Sequence, residues 1–183
     1  MTKPEESTNS KFNKLRAAVL GANDGIVSTS SVVMGVAGAG ADNKAIFTAG
    51  MAALVAGALS MAVGEYVSVG SQRDAEEVHV KKVHGETPDD HEFTSPIQAA
   101  VASLASFSVG GLVPFLAVVL APTEFKVWAT VGAVLVALLL TGYFSAMAGN
   151  APKLRAVTRV IVGGLLAMAI TYYIGVAFGA VIA

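Results

Sequence analysis

Five stretches of this chain stay apolar for about 20 residues or more, and that repetition restricts the fold before any motif is considered. They run from Leu15 to Gly40, Ala45 to Gly70, Ile97 to Leu120, Val127 to Ala148 and Val157 to Ala183. A helix needs about 20 mostly apolar residues to cross the hydrocarbon core of a bilayer, so each stretch is long enough to span. The last is longer than needed and is expected to tilt or fray at its end. Composition agrees. Of the 183 residues 54% are hydrophobic and 14% charged, against about 25% charged in an ordinary soluble domain, and the mean hydropathy is +0.65. The expectation is an all-α, polytopic membrane protein with five transmembrane helices over residues 15–183 and a cytoplasmic tail over residues 1–14.

The absence of cysteine excludes disulfides, thiolate metal sites and iron–sulfur ligation. Met1 to Lys14 is polar, with Lys3, Glu5, Glu6 and Lys11 and no apolar run ending in a small-residue cleavage site, so no removable signal peptide is expected. Basic residues set the orientation. Lys3, Lys11, Lys14 and Arg16 precede or open the first span, Arg73, Lys81 and Lys82 lie between spans two and three, and Lys153, Arg155 and Arg159 lie between spans four and five. The opposite side holds Lys44 and Lys126. Ten against two is a strong positive-inside bias, which puts the N-terminus and the polar connection 71–96 in the cytoplasm and the C-terminus outside.

Small residues recur at four-residue spacing in Gly21 and Gly25, Ala53 and Gly57, Ser60 and Gly64, Gly142 and Ala146, and Gly175 and Gly179. Such pairs let helix backbones approach closely where lipid supplies no hydrophobic drive, and the set predicts tight bundling. Pro114 follows Gly110-Gly111 and predicts a kink in span three, while Pro96 and Pro152 suit the starts of spans three and five. Trp128, Tyr172 and Tyr173 read as interface anchors.

Asp24 is the residue that composition does not explain, since it sits inside the first span. An ionised side chain at the bilayer centre costs roughly 2.5 to 3.5 kcal/mol on insertion scales, so an intramembrane acid is a functional-site hypothesis by default. Glu65 repeats the anomaly in the second span, one helical turn after Met61. Counted from the cytoplasmic ends of their helices, Asp24 is about 12 Å deep and Met61 about 13.5 Å, with Glu65 about 6 Å nearer the cytoplasm on the face of Met61. Hard oxygen ligands alone suit magnesium, calcium or manganese, whereas a thioether beside them shifts the choice to softer first-row ions such as ferrous iron. Each residue also has a plain structural reading: Met61 as packing, Asp24 as a helix cap or backbone hydrogen bond, and Glu65 as an acid reaching the interface.

The run Leu20-Gly21-Ala22-Asn23-Asp24-Gly25-Ile26-Val27-Ser28-Thr29, the run Ala58 to Ser68 that contains Met61 and Glu65, the stretch Ser71-Gln72-Arg73-Asp74 and the tail Thr171-Tyr172-Tyr173-Ile174-Gly175 resemble the vacuolar iron transporter family. The resemblance implies a homodimer of five-helix subunits that moves ferrous iron, often manganese too, out of the cytoplasm in exchange for protons. It places Asp24 and Met61 on the translocation path, with Glu65 in the same second-helix signature. The first helices would lie at or near the two-fold axis, and the Gly21 and Gly25 pair would permit close approach of the two copies. Iron or manganese is then cargo, with no resident cofactor. The partners are membrane lipid, metal ions and protons, without nucleic acid. The membrane is expected to be a bacterial inner membrane, or a vacuolar-type membrane in a eukaryote.

The sequence departs from that family in its cytoplasmic insert. Full-length relatives carry a glutamate-rich metal-binding domain between spans two and three, and here only Ser71 to Pro96 stands in its place. Glu76 and Glu77 resemble its start and are the candidates for cytoplasmic metal capture. His79, His84 and His91 with Asp89, Asp90 and Glu92 add nitrogen and oxygen ligands without a fixed template, and a solvated polar loop is the competing reading. A non-transporting membrane metal sensor or assembly factor is the alternative function. An enzyme is not expected, because no serine–histidine or histidine-rich constellation lies within the spans.

Overall fold

The structure, a computed structural model, describes residues 8–84 and 95–182. Five helices account for nearly all of them: α1 Thr8–Gly38, α2 Asn43–His84, α3 Pro96–Leu120, α4 Lys126–Ala148 and α5 Lys153–Ile182, with a 3-10 turn at Thr123–Phe125 before α4. All five are long and apolar enough to cross a membrane. Where water is absent, only a helix or a closed barrel satisfies every backbone N–H and C=O internally, so long apolar runs fold as helices. The expectations on residues 1–7 and on Glu86, Asp89, Asp90, His91 and Glu92 fall outside the described residues.

Polar and special residues mark the helix ends. Gly40, at φ 75°, closes the end of α1, and the Asp42 carboxylate accepts the Ala45 N–H at 2.8 Å in the first turn of α2. The Ser95 hydroxyl oxygen accepts from the Gln98 N–H at 3.4 Å and Pro96 opens α3, where a missing N–H costs nothing. Helix α3 runs on through Pro114.

The three ends of the sequence-read spans that fall furthest short all lie on the predicted cytoplasmic side, one of them the start of α5 at Lys153 ahead of Val157. Helix α1 begins at Thr8, ahead of the apolar run, and α2 extends 14 residues past Gly70, from Ser71 to His84. The first half of the connection read as a polar loop is thus helix. Ser71 to His84 holds no glycine or proline, and turn-spaced pairs support it: Gln72 Nε2 donates to Glu76 Oε1 and Arg73 Nε to Glu77 Oε1, each at 3.0 Å. At 1.5 Å per residue α2 is about 63 Å long, twice the ~30 Å hydrocarbon core.

Contacts between helices establish the direction of each. Gly21 meets Ser103 while Gly25 meets Phe107 and Gly111, so α1 and α3 run parallel; Gly35 and Gly38 meet Thr171 and Tyr172, so α1 and α5 do too. Gly50, Gly57 and Gly111 set α2 antiparallel to α3, with Gly50 on Phe115, Gly57 on Phe107 and Gly111 on Leu54, and Gly142 on Val157 with Gly164 on Leu138 sets α4 antiparallel to α5. Strict alternation follows. Helix α1 is central and touches the other four.

The α1–α3 and α1–α5 seams depend on absent side chains. A Cβ on Gly25 would collide with the Phe107 carbonyl, one on Gly110 with the Ala22 carbonyl, and one on Gly175 with the Gly35 carbonyl. The expectation that Gly21 and Gly25 serve a second copy is corrected here: both face α3 of their own protomer. Apolar side chains fill what remains, in a cluster of Ile26, Met34, Val134, Leu138 and Met168 between α1, α4 and α5, and in a second of Leu54, Ala58 and Phe107 between α2 and α3. Tyr172, read as an interface anchor, packs its ring on the first cluster instead, against Gly38, while Trp128 and Tyr173 are exposed.

Candidate functional site

Asp24 lies between Gly21 and Gly25, where α1 packs against α3, and helix periodicity decides where its carboxylate points. Residues three or four apart share a face. Gly21, Gly25 and Thr29 take the face against α3, while Ile26, Val27 and Met34 take the face against α4 and α5. Leu20, Asp24 and Ser28 are left on the remaining face, where Leu20 and Asp24 are exposed. Ser28 Oγ donates to the Asp24 carbonyl at 2.6 Å, but the carboxylate itself has no hydrogen-bond or ionic partner among the described residues. The sequence reading placed an acid at depth. The structure adds that it faces out of the protomer.

Met61 is reached through Phe107. The Phe107 backbone abuts Gly25, next to Asp24, and its ring abuts Gly57 and packs with Leu54 and Ala58, against which Met61 is partly buried. One α3 residue therefore spans the level of both. Within a single protomer the thioether sits between α2 and α3 while the Asp24 carboxylate projects from another face of α1. Glu65, one turn beyond Met61, is only 7% exposed, so it is a buried carboxylate and not an acid extended into the interface. Among the described residues no three His, Asp or Glu side chains stand close enough to hold a metal ion.

Glu76 and Glu77 lie on the projecting part of α2. Each has a carboxylate oxygen occupied by a side chain one turn earlier, Gln72 for Glu76 and Arg73 for Glu77. His79 is exposed on the same helix.

Among the described residues four buried polar atoms lack a hydrogen-bond partner: Asn23 Oδ1, Thr29 Oγ1, Ser31 Oγ and Ser103 Oγ. All but Ser103 are on α1, so the central helix carries the polar atoms as well as the acid. An unmet buried hydrogen bond costs about 1 to 3 kcal/mol, which is tolerated where polar groups have a task. Asn23 also lines a cavity of about 610 Å³ between α1, α4 and α5, together with Ser145 and Arg159. The sequence reading missed Asn43 and Lys126. The Lys126 ammonium donates to Asn43 Oδ1 across the ends of α4 and α2 and is 7% exposed. The available signal was that Lys126 is one of two basic residues on its side of the membrane.

Five alternating helices with an outward-facing acid on the central one define a multi-pass integral membrane protein. The chain belongs to the VIT family, whose family model matches residues 15–92 and 77–176. Among curated relatives, "Vacuolar iron transporter homolog 3" of Arabidopsis thaliana is 50% identical over 160 residues, 86% of this chain and 80% of the relative. "Vacuolar iron transporter homolog 1" of the same plant is 46% identical over 159 residues, again 86% and 80%. "Vacuolar iron transporter homolog 4" is 44% identical over 177 residues, 94% of this chain and 89% of the relative. These are plant proteins named for the vacuole, which lends no support to the bacterial inner membrane expected from the sequence.

Proposed function

We propose that this chain transports ferrous iron, and manganese as a second cargo, out of the cytoplasm as a homodimer, in exchange for protons. One observation carries the reading: the Asp24 carboxylate faces out of the protomer at membrane depth without a partner among the described residues. An acid left against lipid costs roughly 2.5 to 3.5 kcal/mol, and a second copy of α1 across a two-fold axis removes that cost by enclosing it. Two Asp24 carboxylates facing across the axis would balance the charge of one divalent ion. The Met61 thioether, at the same level, would add the soft ligand that favours iron over magnesium or calcium.

Coupling follows from charge balance. A carboxylate pair left empty of metal inside a low-dielectric bundle holds protons in its place, so metal entering from the cytoplasm releases protons and protons arriving from an acidic far side displace the metal. Glu65, buried one turn nearer the cytoplasm, is the entry carboxylate. Glu76 and Glu77 on the projecting α2 would gather metal ahead of it. The names of the relatives support iron as cargo and a vacuolar-type membrane as the location.

The test is metal flux into proteoliposomes at a fixed metal gradient while the pH difference is varied and lumenal pH is followed. Iron movement accompanied by opposing proton movement is expected. Flux indifferent to the proton gradient would leave a passive channel. Metal binding without flux would favour the non-transporting sensor.

A further inference from the structure

The two basic residues that break the charge asymmetry of this chain, Lys44 and Lys126, line one cavity of about 370 Å³ where α2 and α4 begin. That end of the bundle is opposite the projecting part of α2. Lys126 is 7% exposed. Its ammonium donates to the neutral Asn43 Oδ1 and to no other group among the described residues. The nearest acids in sequence are otherwise placed: the Asp42 carboxylate accepts from the Ala45 N–H, and Glu124 in the 3-10 turn makes no ion pair with Lys126.

Such a lysine is under-partnered. An ammonium has three donors and a full charge, and one amide oxygen meets one donor and none of the charge. Burying an ion costs several kcal/mol unless an opposite charge compensates it. Lys126 and Asn43 are also the first residues of α4 and α2, so two helix dipoles add positive potential at the same place. The lysine makes the site, and the helix ends reinforce it.

The remaining walls identify the anion's carrier. Ile46, Phe47, Val118 and Val119 line the cavity, and Phe47 and Val119 are exposed, so the apolar wall continues onto the lipid-facing surface. A small inorganic anion has no use for such a wall, whereas an amphiphile has.

We infer that this cavity binds the headgroup of an anionic membrane phospholipid, its phosphodiester on Lys126 and Lys44 and its glycerol and upper acyl chains along Phe47, Val118 and Val119. The lipid would act as the missing counter-ion of Lys126 and tie the start of α2 to the start of α4. This reading is independent of the cargo and of the coupling mechanism.

The experiment is lipid titration of the purified full chain in detergent, read by native mass spectrometry. Phosphatidylglycerol, phosphatidylcholine and inorganic phosphate are the three arms, with wild type, Lys126→Met, Lys126→Arg and Lys44→Gln as the proteins. Phosphatidylglycerol should bind wild type and Lys126→Arg alike. It should bind Lys126→Met about ten-fold more weakly, the scale of one charge-assisted hydrogen bond, and Lys44→Gln about three-fold more weakly, as befits an exposed partner. Equal binding of phosphatidylglycerol and phosphatidylcholine by wild type, or unchanged affinity in Lys126→Met, would overturn the site. Displacement of phosphatidylglycerol by equimolar inorganic phosphate would overturn the lipid as its occupant. Should Lys126→Met fail to fold, Lys44→Gln decides, since its side chain is exposed: unchanged affinity there refutes the inference.

Discussion

Replacing Gly25 by alanine tests the central seam of the fold, because the added methyl meets backbone and not a movable side chain. Its Cβ would lie 2.9 Å from both Gly111 N and the Phe107 carbonyl carbon and closer still to the Phe107 carbonyl oxygen. Ordinary contact begins near 3.4 Å, so α1 and α3 must part by about 0.5 Å or more. A radial gap of 0.5 to 1 Å forfeits about a quarter to a half of the dispersion energy of each contact it opens. The loss extends along the seam to Gly21 on Ser103 and Gly110 on Ala22. Overpacking of this kind typically costs about 1 to 3 kcal/mol. Gly132→Ala and Gly163→Ala serve as controls, since a Cβ at either position meets nothing within 4 Å, and they should stay within about 0.5 kcal/mol of wild type. Equilibrium unfolding in mixed micelles measures all three. Equal stability of Gly25→Ala and the controls would refute the intrachain seam, and a variant that loses only its dimer while the protomer keeps its stability would return Gly25 to an interface between copies.

Three further outcomes are expected. Asp24→Asn should abolish metal flux, and Met61→Leu should reduce it while keeping the volume that packs on Phe107; wild-type iron flux in both would remove them from the path. Single cysteines at Leu20 and Ser28, on the face of Asp24, should crosslink two copies in a bilayer, whereas one at Ile26, buried against α4 and α5, should not. A cysteine at Ala75 should react with an impermeant reagent only from the cytoplasmic side, and labelling from the other side would reverse the orientation.

Much of this protein was legible in one dimension. Whether a segment spans depends on its own transfer free energy, which is a sum over consecutive residues, so all five spans were readable without knowledge of any contact. That Asp24 and Met61 stand at one level along their helices was readable for the same reason, because helical rise is constant. The extension of α2 to His84 was harder to see: apolar content marks where a helix enters lipid, not where its hydrogen bonding stops, and Gln72–Glu76 and Arg73–Glu77 carry it onward. Which helix a small-residue pair serves was beyond the sequence, since spacing describes one helix and packing needs two. Gly21 and Gly25 could face α3 or a second copy until the Ser103 and Phe107 carbonyls were seen against them. The same holds for Glu65 and Lys126. Their charges were plain in the sequence, but burial of each depends on which neighbours close over it, and for Lys126 that neighbour is Asn43, 83 residues away. Sequence by itself determined the number of crossings, their alternation and the level of the acid; tertiary structure decided the direction in which the acid points, because a side chain's surroundings are set by packing between distant segments and not by its place in the chain.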